Sequence, residues 1–171
     1  GRVNVGSETL SATYDRACST TQLAAAAGTQ VFPSDVESGY SVIVVTSDTT
    51  FSDGMLMFAD TSCSTPSAYI KNGRDNETVG SASGSNYLVT YDSSSFKVKA
   101  DTAVAADNLT AALIANISDI VLTLGEEYST TGSSKSYKNL WSVTSTTYQQ
   151  GEELDNGTQP TKIDSLTMTK Q

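Results

Sequence analysis

Carboxylates, hydroxyls, two thiols and a small set of aromatic rings are the groups with which this chain can do chemistry, because its 171 residues include no histidine. Imidazole is the commonest general base. Its absence removes the Ser-His-Asp and Cys-His nucleophile systems and most zinc sites. Cys18 and Cys63 have no third soft ligand with which to hold a structural zinc. No G-x-x-x-x-G-K-[ST] loop occurs, and no G-x-G-x-x-G follows a strand. The expectation is a protein that is not an enzyme, with no cofactor and no metal.

The remaining catalytic device is a pair of carboxylates, which suffices for a glycosidase at a set separation. Glu126 and Glu127, or Glu152, Glu153 and Asp155, supply candidates, but both groups lie beside turns where acids are ordinarily solvated. Neighbours on a strand also point to opposite faces, so Glu126 and Glu127 do not make one pair. Asp48 with Asp53, or Asp75 with Asn76 and Glu77, offers oxygen ligands suited to calcium, yet neither set follows the EF-hand spacing. Tyr137, Trp141 and Tyr148 are candidate sugar-binding rings, with Tyr128 close by in sequence. Stacking on a sugar needs exposed faces, and strand spacing suits core packing better. The triplets beginning at Asn76, Asn108, Asn116 and Asn156 permit N-glycosylation.

Composition sets the frame for these groups. Ser and Thr number 25 and 24, while charged residues make up only 17%, a balance that favours pleated sheet with neutral, polar loops. The net charge of −9 disfavours partners with phosphate backbones and docking on anionic lipid. No apolar run approaches the roughly 20 residues needed to span a bilayer, so no membrane insertion is expected. No leader pattern follows Gly1, so any targeting segment is expected to have been removed or to lie outside these residues. The cysteines are free thiols in a reducing compartment or a disulfide in an oxidising one. The secreted-type composition favours the disulfide, which would add roughly 4 kcal/mol by closing a long loop.

Elements that would position these groups follow from periodicity. Residues 1–14 form an N-terminal arm or first strand, in which Val3 and Val5 alternate. That arm either joins the chain's own sheet or pairs with a neighbouring subunit. Residues 15–171 form a single β-rich domain. Ser19 and Gln22 make a capping box for a short helix over 23–27, ended by Gly28. Tyr40 to Thr46 reads as a central strand, Asp53-Gly54 as a turn, Met55 to Phe58 as a strand, and residues 72–86 as a polar loop with at most a short strand near Val79. Tyr87, Val89 and Tyr91 alternate, then Phe96, Val98 and Ala100, giving a hairpin turned at 92–95. Ala105, Leu109, Ala112 and Leu113 then recur at helical spacing, and their stripe would lie on the tyrosine face of that hairpin. Strands are expected at Ile120 to Leu124, Leu140 to Tyr148 and Ile163 to Met168, with a Ser/Gly loop over 129–136 and a turn at 155–157. The expected fold is mainly β with one or two short helices (α+β), an antiparallel β-sandwich-like domain with a hairpin-helix unit.

Tyr87-Leu-Val-Thr-Tyr, Phe96-Lys-Val-Lys-Ala and the Ala-rich run from Ala105 to Ile117 resemble the hairpin-helix modules of bacteriophage tail tube and tail tubular proteins. The arm ahead of the Cys18 and Cys63 pair resembles the layout of chaperone-usher fimbrial subunits. Both resemblances imply a non-catalytic subunit of a polymeric assembly. The expected function is therefore a structural or attachment subunit of an extracellular, cell-surface or virion appendage, acting by self-assembly. Its partners would be copies of itself, or a host-surface glycan or protein, with no nucleic acid. The alternative is a carbohydrate-binding module or lectin-like adhesin domain.

Overall fold

Val42, Ile43 and Val45 are β-branched residues that favour a pleated backbone, and they lie in one of the strands from which the molecule is built. A computed structural model of the chain describes residues 1–20, 32–152 and 158–171. Its strands are β1 (Arg2–Val5), β2 (Glu8–Ser11), β3 (Thr13–Asp15), β4 (Ser38–Val45), β5 (Phe51–Phe58), β6 (Pro66–Ser83), β7 (Asn86–Ala100), β8 (Glu127–Thr131), β9 (Ser136–Val143), β10 (Thr147–Gln150) and β11 (Met168–Lys170). Helix α1 (Ala103–Leu113) lies between β7 and β8. Strand makes up 54% and helix 7%, so the chain is mainly β.

All pairings are antiparallel, and they form a closed circuit. The order β6-β5-β4-β3-β11-β10-β9-β7 returns to β6 through the long β6–β7 ladder. The result is an eight-stranded barrel, not the two stacked sheets of a sandwich. Closure depends on β11, whose Thr169 and Lys170 pair with Asp15 and Tyr14 of β3. Strand β8 lies outside the circuit. It continues along the same edge of β7 that β9 occupies: β9 pairs with residues 87–92 and β8 with residues 95–99. β8 and β9 are thus one strand direction interrupted by residues 132–135.

The inner face has two apolar clusters. In the first, Tyr14, Ile43, Phe51, Val89, Tyr91, Trp141 and Tyr148 surround Val3, Val5 and Leu10 of the β1–β2 hairpin. That hairpin turns through Gly6-Ser7, where Gly6 holds φ +66°, and it plugs this end of the barrel. In the second, Met55, Met57, Ile70, Val98 and Ala100 are covered by Ala105 and Leu109 of α1 and by Ile120. Thr102 caps α1 by accepting from the Ala105 N–H at 3.1 Å, and its hydroxyl donates to Asp35 at 2.7 Å, which fixes the helix against the 32–37 segment.

Several local expectations change. Residues 87–100 are one strand, not a hairpin, since none of residues 92–95 takes a positive φ and β6 pairs with this stretch from Tyr87 to Ala100, with bulges on the way. Residues 72–83 belong to β6 and are not a loop. Asp53-Gly54 lies inside β5, where a Cβ on Gly54 would meet the Ile70 carbonyl oxygen at 2.2 Å; this glycine serves close backbone approach. Residues 120–124 form no strand, because Ile120 tucks inward while Val121 and Leu124 face out. Leu140 to Tyr148 divides into β9 and β10 at a turn, where the Thr144 hydroxyl accepts from the N–H groups of Thr146 and Thr147 at 3.3 and 3.0 Å. The Ser/Gly loop is confined to 132–135, since β8 reaches Thr131, and the last strand starts only at Met168. The α1 stripe packs on Val98 and Ala100 in the second cluster, away from the tyrosines. The helix expected over 23–27 and the turn at 155–157 lie outside the described residues.

Candidate functional site

Cross-strand register places a polar layer between the two apolar clusters. One inner row runs Ile43, Asp53, Asn72, Phe96 and Thr130 across β4 to β8. The next row on one side reads Val45, Phe51 and Arg74, and on the other Met55, Ile70, Val98 and Tyr128. Arg74 donates from Nε to Asp53 Oδ2 at 3.0 Å and from Nη2 to Asp53 Oδ1 at 3.3 Å. Asn72 donates to the same Oδ1 at 3.3 Å. The guanidinium also lies over the Tyr137 and Tyr91 rings, at 4.8 and 5.5 Å. Burial opposes the Arg74 charge, but the Asp53 carboxylate outweighs it and the guanidinium pKa is raised. Burial, with Asp53 adding to it, pushes the Tyr91 phenol up to about 12, and Asn139 donates to its oxygen at 3.1 Å.

This layer meets solvent where β8 gives way to β9. A cavity of about 360 Å³ opens there, lined by Asn72, Arg74, Phe96, Ile117, Thr130 and Tyr137 among others. Gly132 and Ser133 of the 132–135 loop also line it. A second feature is the far edge of β8. Among the described strands it pairs with β7 alone, whereas every strand of the barrel has a neighbour on both sides. Val121 and Leu124, which precede β8, are 76% and 52% exposed.

The outer face beside that edge is polar. The Tyr69 hydroxyl bonds to Glu127, Lys97 lies 3.6 Å from Glu127, and Lys71 lies over the Tyr69 ring at 4.2 Å. Burial first and Glu127 second raise the Tyr69 phenol to about 12, while the Tyr69 hydroxyl is the main reason the Glu127 carboxyl is lowered.

The residues singled out in the sequence are distributed as follows. Cys18 and Cys63 form a disulfide with Cα atoms 5.9 Å apart. Val3 and Val5 are each 2% exposed and sit in their own barrel, so an arm lent to another subunit would first have to be withdrawn. Trp141 and Tyr148 are 0% and 1% exposed and pack edge to face at 5.5 Å, with no face left for a sugar; Tyr137 alone of the three reaches the cavity. Asp53 is engaged by Arg74 and Asn72, and Asp48 is exposed. Asn76 donates to Asp92 at 2.9 Å while Glu77 turns into the core at 5% exposure, so Asp75, Asn76 and Glu77 do not converge. Asn76 and Asn116 are exposed; Asn108 accepts from the Ser34 N–H at 2.7 Å; Asn156, Glu153 and Asp155 lie outside the described residues. Glu126 and Glu152 are exposed, and Glu127 is bound by Tyr69 and Lys97.

Sequence reasoning passed over Asn72 and Arg74. The signal was the alternation Ala68, Ile70, Asn72, Arg74, which continues one strand face into polar residues.

No protein-family model matches the chain, and no curated protein is significantly similar to it. Among the described residues no helix is long and apolar enough to cross a membrane.

Proposed function

We propose that this chain is a non-catalytic structural or attachment subunit of an extracellular or virion appendage, acting by association with further copies of itself. The observation that carries the reading is the unpaired far edge of β8. Closing a barrel removes edges from all its strands, and an edge left open presents a row of backbone donors and acceptors to another strand. The β8 sequence, Glu127-Tyr-Ser-Thr-Thr, contains no proline and no lysine to discourage such pairing. Exposed Val121 and Leu124 next to it add apolar surface for a partner to cover. The disulfide favours an oxidising, extracellular setting.

The test is Ser129→Lys with Thr131→Lys, two exposed positions on β8. Sedimentation and negative-stain microscopy should show concentration-dependent association of the wild type and a shift to monomer in the double variant, with melting unchanged. A wild type that stays monomeric at every concentration overturns the reading.

A further inference from the structure

The cavity at the β8–β9 interruption has the composition of a site for a small hydroxylated ring, independently of any assembly at the β8 edge. Its volume of about 360 Å³ lies within the roughly 300–1,000 Å³ range of small-molecule sites. Arg74 and Asn72 in its lining are already ordered. Arg74 spends Nε and Nη2 on Asp53, and Asn72 spends its amide N–H on the same carboxylate. Arg74 Nη1 and Asn72 Oδ1 take no protein partner among the described residues, and neither is a buried unsatisfied atom. An unspent donor and an unspent acceptor therefore belong to two side chains that line one cavity and hold the same carboxylate, a pairing that two adjacent hydroxyls can satisfy. Tyr137, Phe96 and Ile117 supply apolar wall on which the C–H face of a ring can rest.

Charge decides which ring. Asp53 neutralises Arg74 at hydrogen-bond distance, so the pair offers no net positive charge to a carboxylate or sulfate. Because both side chains hold each other in place, a ligand finds its partners without ordering them first, which lowers the cost of binding. We propose that this cavity binds a neutral sugar ring, as a free hexose or the end unit of a glycan, with vicinal hydroxyls on Arg74 Nη1 and Asn72 Oδ1.

The experiment is an amide chemical-shift titration of the whole protein with methyl glucoside, galactoside and mannoside, and with methyl glucuronide as the acidic control. Shifts confined to residues 72–74, 93–96, 130–133 and 137 for at least one neutral glycoside are expected. Asn72→Ala should weaken that binding roughly tenfold through loss of one hydrogen bond. Ser133→Trp, at an exposed position of the lining, should abolish it while melting stays unchanged. Ser129→Lys alone, on the β8 edge and outside the cavity lining, should leave it within about twofold. No shifts with any neutral glycoside, shifts elsewhere on the barrel, or binding of the glucuronide alone would each overturn the proposal.

Discussion

Arg74 on β6 grips Asp53 on β5 through two hydrogen bonds, at 3.0 and 3.3 Å, in the middle of a barrel whose two ends are apolar. Side-chain exposures of 13% and 29% make this a largely desolvated pair. Removing one partner from such a pair leaves a charge without compensation. Asp53→Ala should therefore destabilise the fold by about 2–3 kcal/mol, and Asp53→Ala with Arg74→Met should recover much of it. Urea denaturation of the two single variants and the double variant measures the coupling.

Trp141 sets a second expectation. It is fully buried, with ring centroids 5.3 Å from Phe51 and 5.5 Å from Tyr148. Trp141→Ala should cost about 3–5 kcal/mol by leaving a cavity in the core. Any loss of ligand binding in that variant should track lost near-ultraviolet dichroism, whereas Tyr137→Phe should leave the fold near wild type.

Glu77 predicts how stability changes with pH. Its Oε1 is buried without a partner, and burial raises the carboxyl from 4.5 to about 7. Between those values the folded state keeps a proton that the unfolded chain has released, so stability falls as pH rises through the window and levels off above it. The slope approaches about 1.4 kcal/mol per pH unit. The lowered Asp92 and Glu127 carboxyls act in the opposite sense, with stability lost as pH falls below their ordinary range. Glu77→Gln should flatten the curve above pH 5 and melt higher than wild type at pH 8. Equal melting-temperature profiles for both proteins would remove Glu77 from the account.

Reduction provides the fourth test. Cys18 and Cys63 are 45 positions apart in the chain, and closing such a loop is worth roughly 4 kcal/mol in the chain-entropy account. Cys18→Ser with Cys63→Ser should lower the midpoint of unfolding accordingly, and added reductant should change the wild type but not the variant.

The β1–β2 hairpin supplies the fifth. A Cβ on Gly6 would lie 2.2 Å from the Tyr87 hydroxyl, at a φ of +66°. Gly6→Val should cost about 1–3 kcal/mol, and hydrogen exchange at Val3, Val5 and Leu10 should quicken.

Legibility in the sequence followed the distance over which each signal acts. Alternation in Tyr87, Val89 and Tyr91 and helical spacing in Ala105 and Leu109 are local, and both reappear as β7 and α1. The Gly6-Ser7 turn was equally local and went unread. Barrel closure was not legible, because it rests on Lys170 meeting Tyr14 across almost the whole chain. Serines 93–95 read as a turn because polar runs usually are. Here Ser93 and Ser95 pair with Arg74 and Gly73 of β6 across a bulge at Ser94, so the chain continues as a strand under a long-range constraint. Asn72 and Arg74 looked like loop residues for the same reason: a polar layer inside a barrel leaves no local apolar pattern.

The seam between β3 and β11 has a consequence for how the molecule comes to exist. Gln171 bonds to Asp15 over 156 positions of chain, so the cylinder cannot shut until residues 168–171 have been made. Up to that moment β3 and β10 are bare flanks, open to the same strand of a sibling nascent chain. Synthesis rate and crowding should therefore govern how much product closes upon itself and how much is lost to intertwined, mispaired material.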